Sequence, residues 1–140
     1  MTIQEIQDEI VDEFSMFDDW MQRYEYIIDL GKSLPLIDEQ FKTEDNIIKG
    51  CQSKVWVHAD QNGEKVVFTS DSDAILTKGI IAILIRAFSN QKAADILEAN
   101  TDFIDKIGLK EHLSPTRANG LVSMVKKIKM YALAFNAKNQ

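Results

Sequence analysis

The sequence predicts an α+β fold in which one small antiparallel sheet is packed against several helices. Three observations carry the prediction. Apolar residues recur at helical spacing at both ends of the chain; the pattern switches to strict alternation after Ser53, with an Asn-Gly pair at Asn62-Gly63; and the stretch from Gly79 to Ile85 is apolar nearly all round. Helices and strands that alternate in this way within 140 residues fit one domain, residues 1–140, with one core.

Ile3, Ile6, Ile10 and Phe14 lie on one face of a helix over residues 3–14. A second helix starts near Asp19, with Trp20, Tyr24, Ile27 and Ile28 on one face, and is closed by Gly31 with Pro35 shortly after. Residues 34–45 read as loop, and Ile47-Ile48 as a short strand. Val55, Val57 and Ala59 then point one way and Lys54, Trp56 and His58 the other, which puts His58 on the open face of a hairpin turning at Asn62-Gly63. Lys65 to Thr69 supplies the return strand. Because a lone hairpin is marginal in water, this sheet must lie against helices.

Ser70-Asp71-Ser72-Asp73 reads as the end of the sheet and the start of a helix, with Ser70 and Asp73 in capping-box spacing. The helix from Ala74 to Phe88 is the central buried one. Ala93 to Glu98 forms a shorter helix. Ser114-Pro115 opens a long last helix, Ser as N-cap and Pro in the first position, whose inner face is Ala118, Leu121, Val122, Val125, Ile128, Ala132 and Phe135.

Composition narrows the function classes. An acidic, amphipathic start is expected to be neither a secretory signal nor a transit peptide, and no apolar stretch approaches the ~20 residues of a membrane span. The net charge of −6 is uneven: nine acids face Arg23 alone in residues 1–30, whereas the chain from Arg117 onward carries five bases and no acid. Solvated faces, or two helices that attract each other, explain this. The basic end lacks interleaved aromatic side chains, so no nucleic-acid or membrane partner is expected.

The single cysteine, Cys51, excludes an internal disulfide and fits a reducing, cytoplasmic setting. It stands in Lys49-Gly50-Cys51-Gln52-Ser53-Lys54-Val55-Trp56, where a loop meets a strand and Gly50 permits a sharp bend. A free cysteine at such a place is often a small buried hydrophobe. One cysteine with His58 and His112 matches no zinc spacing, so no metal is expected. A Cys-His hydrolase lacks any signature around the thiol, and no phosphate-binding glycine pattern occurs. His112, just before Ser114, reads as structural.

The block from Gly50 to Trp56 resembles the cysteine loop of the SufE family, the sulfur acceptors that work with cysteine desulfurases. Tyr24 to Gly31, Asp71 to Ala74 with Lys78 to Ala82, and Leu113 to Arg117 with Gly120-Leu121 resemble further family segments, in order and in register. The resemblance covers about Tyr24 to Val125 and implies the fold shared with IscU-type scaffolds. Those scaffolds bind metal through three cysteines, so this chain resembles the carrier, not the cluster builder.

The implied function is acceptance of persulfide sulfur on Cys51 from a desulfurase that carries pyridoxal phosphate, stimulation of that enzyme, and delivery to an iron–sulfur assembly scaffold. No cofactor on this chain is implied. A non-catalytic adaptor docking on the desulfurase, or a carrier feeding another sulfur pathway, is the alternative. Arg117 is the candidate stabiliser of the thiolate or persulfide, since a guanidinium and free N–H groups at a helix start favour an anion. Gly50, Gln52 and Ser53 form the cysteine loop. Asp71 and Asp73 are candidates for gating it, or are helix caps.

Overall fold

The computed structural model describes residues 1–138 and confirms the α+β architecture. Helices α1 (Ile3–Ser15) and α2 (Trp20–Gly31) lead through two short 3-10 turns to strands β1 (Val55–Asn62) and β2 (Lys65–Ser72). Helix α3 (Ile75–Phe88), a two-residue strand β3 (Gln91–Lys92), the short helices α4 (Ala93–Glu98), α5 (Asp102–Lys106) and α6 (Leu109–His112), and the long α7 (Pro115–Lys138) follow. The sheet is antiparallel in the order β1-β2-β3. Among the described residues, no helix is long and apolar enough to cross a membrane.

Both N-terminal helices start where cap chemistry dictates. Thr2 and Glu5 form a reciprocal capping box on α1, and the Asp19 carboxylate accepts from Gln22 N at the start of α2. Helix α3 buries Ile80, Ile81, Ile83, Leu84, Ala87 and Phe88 between its neighbours. Each large side chain there stabilises the fold by about 1.5–3 kcal/mol relative to exposure. Its crossing with α2 is a backbone contact: a Cβ on Gly79 would lie 2.1 Å from the Ile27 carbonyl oxygen. Val55, Val57, Ala59, Val66 and Phe68 fill the inner face of the sheet, where the Tyr131 hydroxyl of α7 donates to the Val57 carbonyl at 2.9 Å.

Several local expectations need correction. The hairpin turns one residue later than Asn62-Gly63: Asn62 pairs with Lys65, leaving Gly63-Glu64 as the loop. Gly63 has φ +63° and Glu64 is not in the positive-φ region, the demand of a type II′ turn, which wants glycine first. Strand β2 continues to Ser72, so the Ser70–Asp73 capping box does not form. Ser70 is instead a buried strand residue whose hydroxyl donates to the Trp56 carbonyl at 2.6 Å, and Ala74 is the N-cap of α3. Sheet pairing outcompetes the local cap because it satisfies more backbone groups.

The Ile47-Ile48 strand reduces to one bridge, Ile47 with Trp56. His58 is not on an open face: the segment before β1 folds over it, Phe41 stacks on its ring at 3.8 Å, and its side chain is only 16% exposed. Val122 faces solvent, and Met124 takes its place on the inner side of α7. The acidic N-terminus is not matched by the basic C-terminus. Glu9 and Glu13 pair with Arg86 of α3, while Lys127 and Lys129 donate to backbone carbonyls of Asp45, Leu97 and Ala99.

Candidate functional site

Cys51 stands in the bend between Ile48 and β1. On the near side Ile48 N donates to the Val55 carbonyl at 2.8 Å. On the far side the Ser53 hydroxyl bonds Thr77 of α3 at 3.0 Å. Lys54 N donates to the Asp73 carboxylate at 3.0 Å, Asp73 N donates to the Lys54 carbonyl at 3.2 Å, and the Ser72 hydroxyl donates to the same carbonyl at 2.8 Å. The chain must turn sharply between these anchors, and Gly50 does so at φ +90°, a conformation that favours glycine.

The bend lays Cys51 against α7. Its S–H points to the Gly120 carbonyl oxygen, with an S···O distance of 3.8 Å. A Cβ placed on Gly120 would lie 3.0 Å from the sulfur, 3.5 Å from Cys51 Cα and 3.6 Å from its Cβ. The thiol is half-buried over a cavity of about 10 Å³ lined by Gln52, Ser53, Thr77, Ile80, Arg117, Gly120 and Met124. Burial pushes the thiol pKa up, so at neutral pH the resting group is the protonated thiol, a poor nucleophile. The other side of the loop faces an open groove lined by Glu44, Ile47, Lys49, Lys54 and Asp73.

Gly50, Cys51, Gln52, Ser53 and Arg117 therefore come together, and Asp73 fastens the end of the same loop. Arg117 N is capped by the Ser114 hydroxyl at 3.3 Å, and its exposed side chain lines the cavity beside the thiol. Asp71 lies apart. Burial pushes its carboxyl up, but the bonds from Lys42 (2.8 Å) and from Ser72 N outweigh this and hold it below the usual range. Neither Asp71 nor Asp73 caps α3, because both carboxylates are committed elsewhere. His112 stacks on Trp20 at 3.9 Å and bonds the Gly108 carbonyl through Nδ1, a packing role. Among the described residues, no group of three or more His, Cys, Asp or Glu side chains is arranged to hold a metal ion.

Sequence reasoning gave no role to Gly120 or Thr77, the two residues that seat the loop. A signal for Gly120 existed: glycine inside a long helix costs about 1 kcal/mol against alanine, so its presence asks for a close approach. What approaches it lies 69 positions away in the sequence.

The profile of the SufE family, described as the Fe-S metabolism associated domain, matches residues 8–132. An uncharacterised SufE-like protein of Rhizobium meliloti is 43% identical over 130 residues, which is 89% of this chain and 93% of that protein. SufE-like protein 1 of Arabidopsis thaliana, named chloroplastic/mitochondrial, is 40% identical over 133 residues; the match spans 94% of this chain and 36% of the plant protein. The solution structure of a hypothetical protein from Thermus thermophilus shares the fold, with a TM-score of 0.77 at 20% identity over 92% of this chain and 94% of that one.

Proposed function

The chain belongs to the SufE family of Fe–S metabolism associated domains, and from that premise we propose that it is a sulfur carrier that accepts persulfide sulfur on Cys51 from a cysteine desulfurase and stimulates that enzyme. The observation that supports this best is the placement of its one cysteine: half-buried, at the apex of a bend anchored at both ends, beside the first turns of α7.

In the transfer, the Cys51 thiolate attacks the outer sulfur of the donor's persulfide. A new S–S bond forms at Cys51, the donor S–S bond breaks, and the donor cysteine leaves with the electron pair as a thiolate. The outer sulfur moves at one oxidation level, so no external oxidant is needed. Without a second cysteine the chain cannot discharge the product by closing an internal disulfide, and the persulfide survives until an acceptor takes it. A raised thiol pKa holds the resting protein protonated, which protects it from oxidation. Docking that lifts Cys51 from its seat and brings Arg117 to bear would restore the thiolate.

The reading requires no cofactor on this chain; the desulfurase brings pyridoxal phosphate. An iron–sulfur assembly scaffold is the downstream acceptor, and a reducing cytoplasm keeps the thiol available. Incubation with desulfurase and cysteine, followed by mass spectrometry, tests it. A carrier gains one sulfur on Cys51, reversed by reductant. A chain that stimulates the enzyme yet never gains sulfur is a docking adaptor instead.

A further inference from the structure

The cavity under Cys51 has a consequence for the loaded form of the protein. Sγ rests against the backbone of α7 because residue 120 has no side chain: a Cβ there would meet the sulfur at 3.0 Å and two more Cys51 atoms at 3.5 and 3.6 Å. The Gly120 carbonyl also accepts the S–H. The space left beside the thiol is about 10 Å³, small against the ~30 Å³ share of a water molecule in the liquid. A sulfur atom is larger than a water oxygen, and the outer sulfur of a persulfide lies only ~2 Å from the first. It does not fit.

We infer that Gly120 is a positioning residue that makes a seat for the empty Cys51 thiol and excludes the persulfide, so that accepting sulfur turns the loaded side chain out of the cavity toward the open face of the loop. This rests on the carrier reading and deepens it. The empty protein holds its nucleophile half-buried, whereas the loaded protein presents its cargo to an acceptor, with the sulfur itself as the switch. Room exists on that side, since the groove that Cys51 itself borders, with Glu44, Lys49, Gly50, Lys54 and Asp73, is open to solvent. The bend carrying Cys51 pivots between the Ile48–Val55 pairing and the Ser53–Thr77 bond.

The test compares how strongly Cys51 discriminates between reagents of different size. Alkylation by iodoacetamide and by a bulky maleimide is timed on three proteins: empty wild type, empty Gly120→Ala, and wild type loaded with inorganic polysulfide. In the loading step the Cys51 thiolate takes one sulfane sulfur and the polysulfide leaves one atom shorter. The bulky-to-small rate ratio cancels intrinsic reactivity. It should be low in the empty wild type and several-fold higher in both other proteins.

The pH midpoint of alkylation should also fall in Gly120→Ala. The charged groups around the loop, Glu44, Lys49, Lys54, Asp73 and Arg117, are identical in the two proteins, so a moved midpoint reports the lost seat. Alanine is a better helix former than glycine, and circular dichroism checks that α7 persists. An unchanged ratio in loaded wild type overturns the inference, whatever the variant does. No desulfurase enters these measurements, so failure here is distinct from failure of Cys51 to accept sulfur from the enzyme.

Discussion

The resting state of Cys51 is set by burial. With the thiol pKa pushed up, its alkylation in the free protein should follow a midpoint above the ordinary ~8.5 of an exposed cysteine. Stability has the matching sign. The folded form holds the thiol proton more tightly than the unfolded chain, so the seat's contribution is full below the ordinary cysteine range. It is lost as pH rises through the raised value. Urea melts of wild type and Cys51→Ser should therefore converge between neutral and alkaline pH, and a constant gap would count against a protonated seat. Arg117 is tested in the partner-bound complex. Arg117→Ala should move the alkylation midpoint to higher pH and slow sulfur uptake with the melting temperature kept; an unmoved midpoint removes it from the chemistry. At this scale the sequence singled out Cys51 as the proposed nucleophile, because Gly50-Cys51-Gln52-Ser53 is a contiguous block. It gave no role to Gly120, which meets Cys51 only through the fold.

Among the elements, the contact between α2 and α3 and the ion pairs between α1 and α3 each make a stability prediction. A methyl on Gly79 has no space, as the Ile27 carbonyl would be 2.1 Å away and cannot yield without moving the helix. Gly79→Ala should cost about 3 kcal/mol or more, read from denaturant midpoints, while Gly120→Ala, whose nearest obstacle is a movable side chain, should cost far less. Arg86 bonds Glu13 and Glu9, and Tyr26 also bonds Glu13. The Arg86 hydrogen bond, working against desolvation, holds the Glu13 carboxyl below the usual range. The pair is partly exposed, so Arg86→Ala should destabilise by about 1–2 kcal/mol at neutral pH. That difference is present above the ordinary carboxylate pKa and should fade as pH falls through the lowered Glu13 value, where both proteins carry a neutral Glu13. Acid titration of unfolding checks it.

Long periodic helices and the alternating hairpin were legible, since each is specified by residues close in sequence. The one-residue shift of the turn, the strand role of Ser70 and the covering of His58 were not. Each is imposed by pairing or packing with a distant segment. Strand β3 has two residues and α6 four, too few for any period to show.

For the whole molecule, fold and chemistry separate. The core lies between α3, α7 and the sheet, and Cys51 lies on its margin, half-buried and outside every helix and strand. Cys51→Ser should therefore lower stability by no more than the ~0.5–3 kcal/mol typical of single substitutions. A desulfurase interface of some 20–30 residues a side should largely survive the change. The central claim is that sulfur passes through Cys51, and the most direct test is cysteine-dependent turnover of the partner desulfurase, read as alanine release and as sulfur bound to this chain. Wild type should stimulate turnover and gain one sulfur. Cys51→Ser should bind the enzyme yet neither gain sulfur nor stimulate, because a hydroxyl cannot replace the thiolate and the enzyme stalls on its own persulfide. Full stimulation by Cys51→Ser would contradict the carrier mechanism and leave only an adaptor.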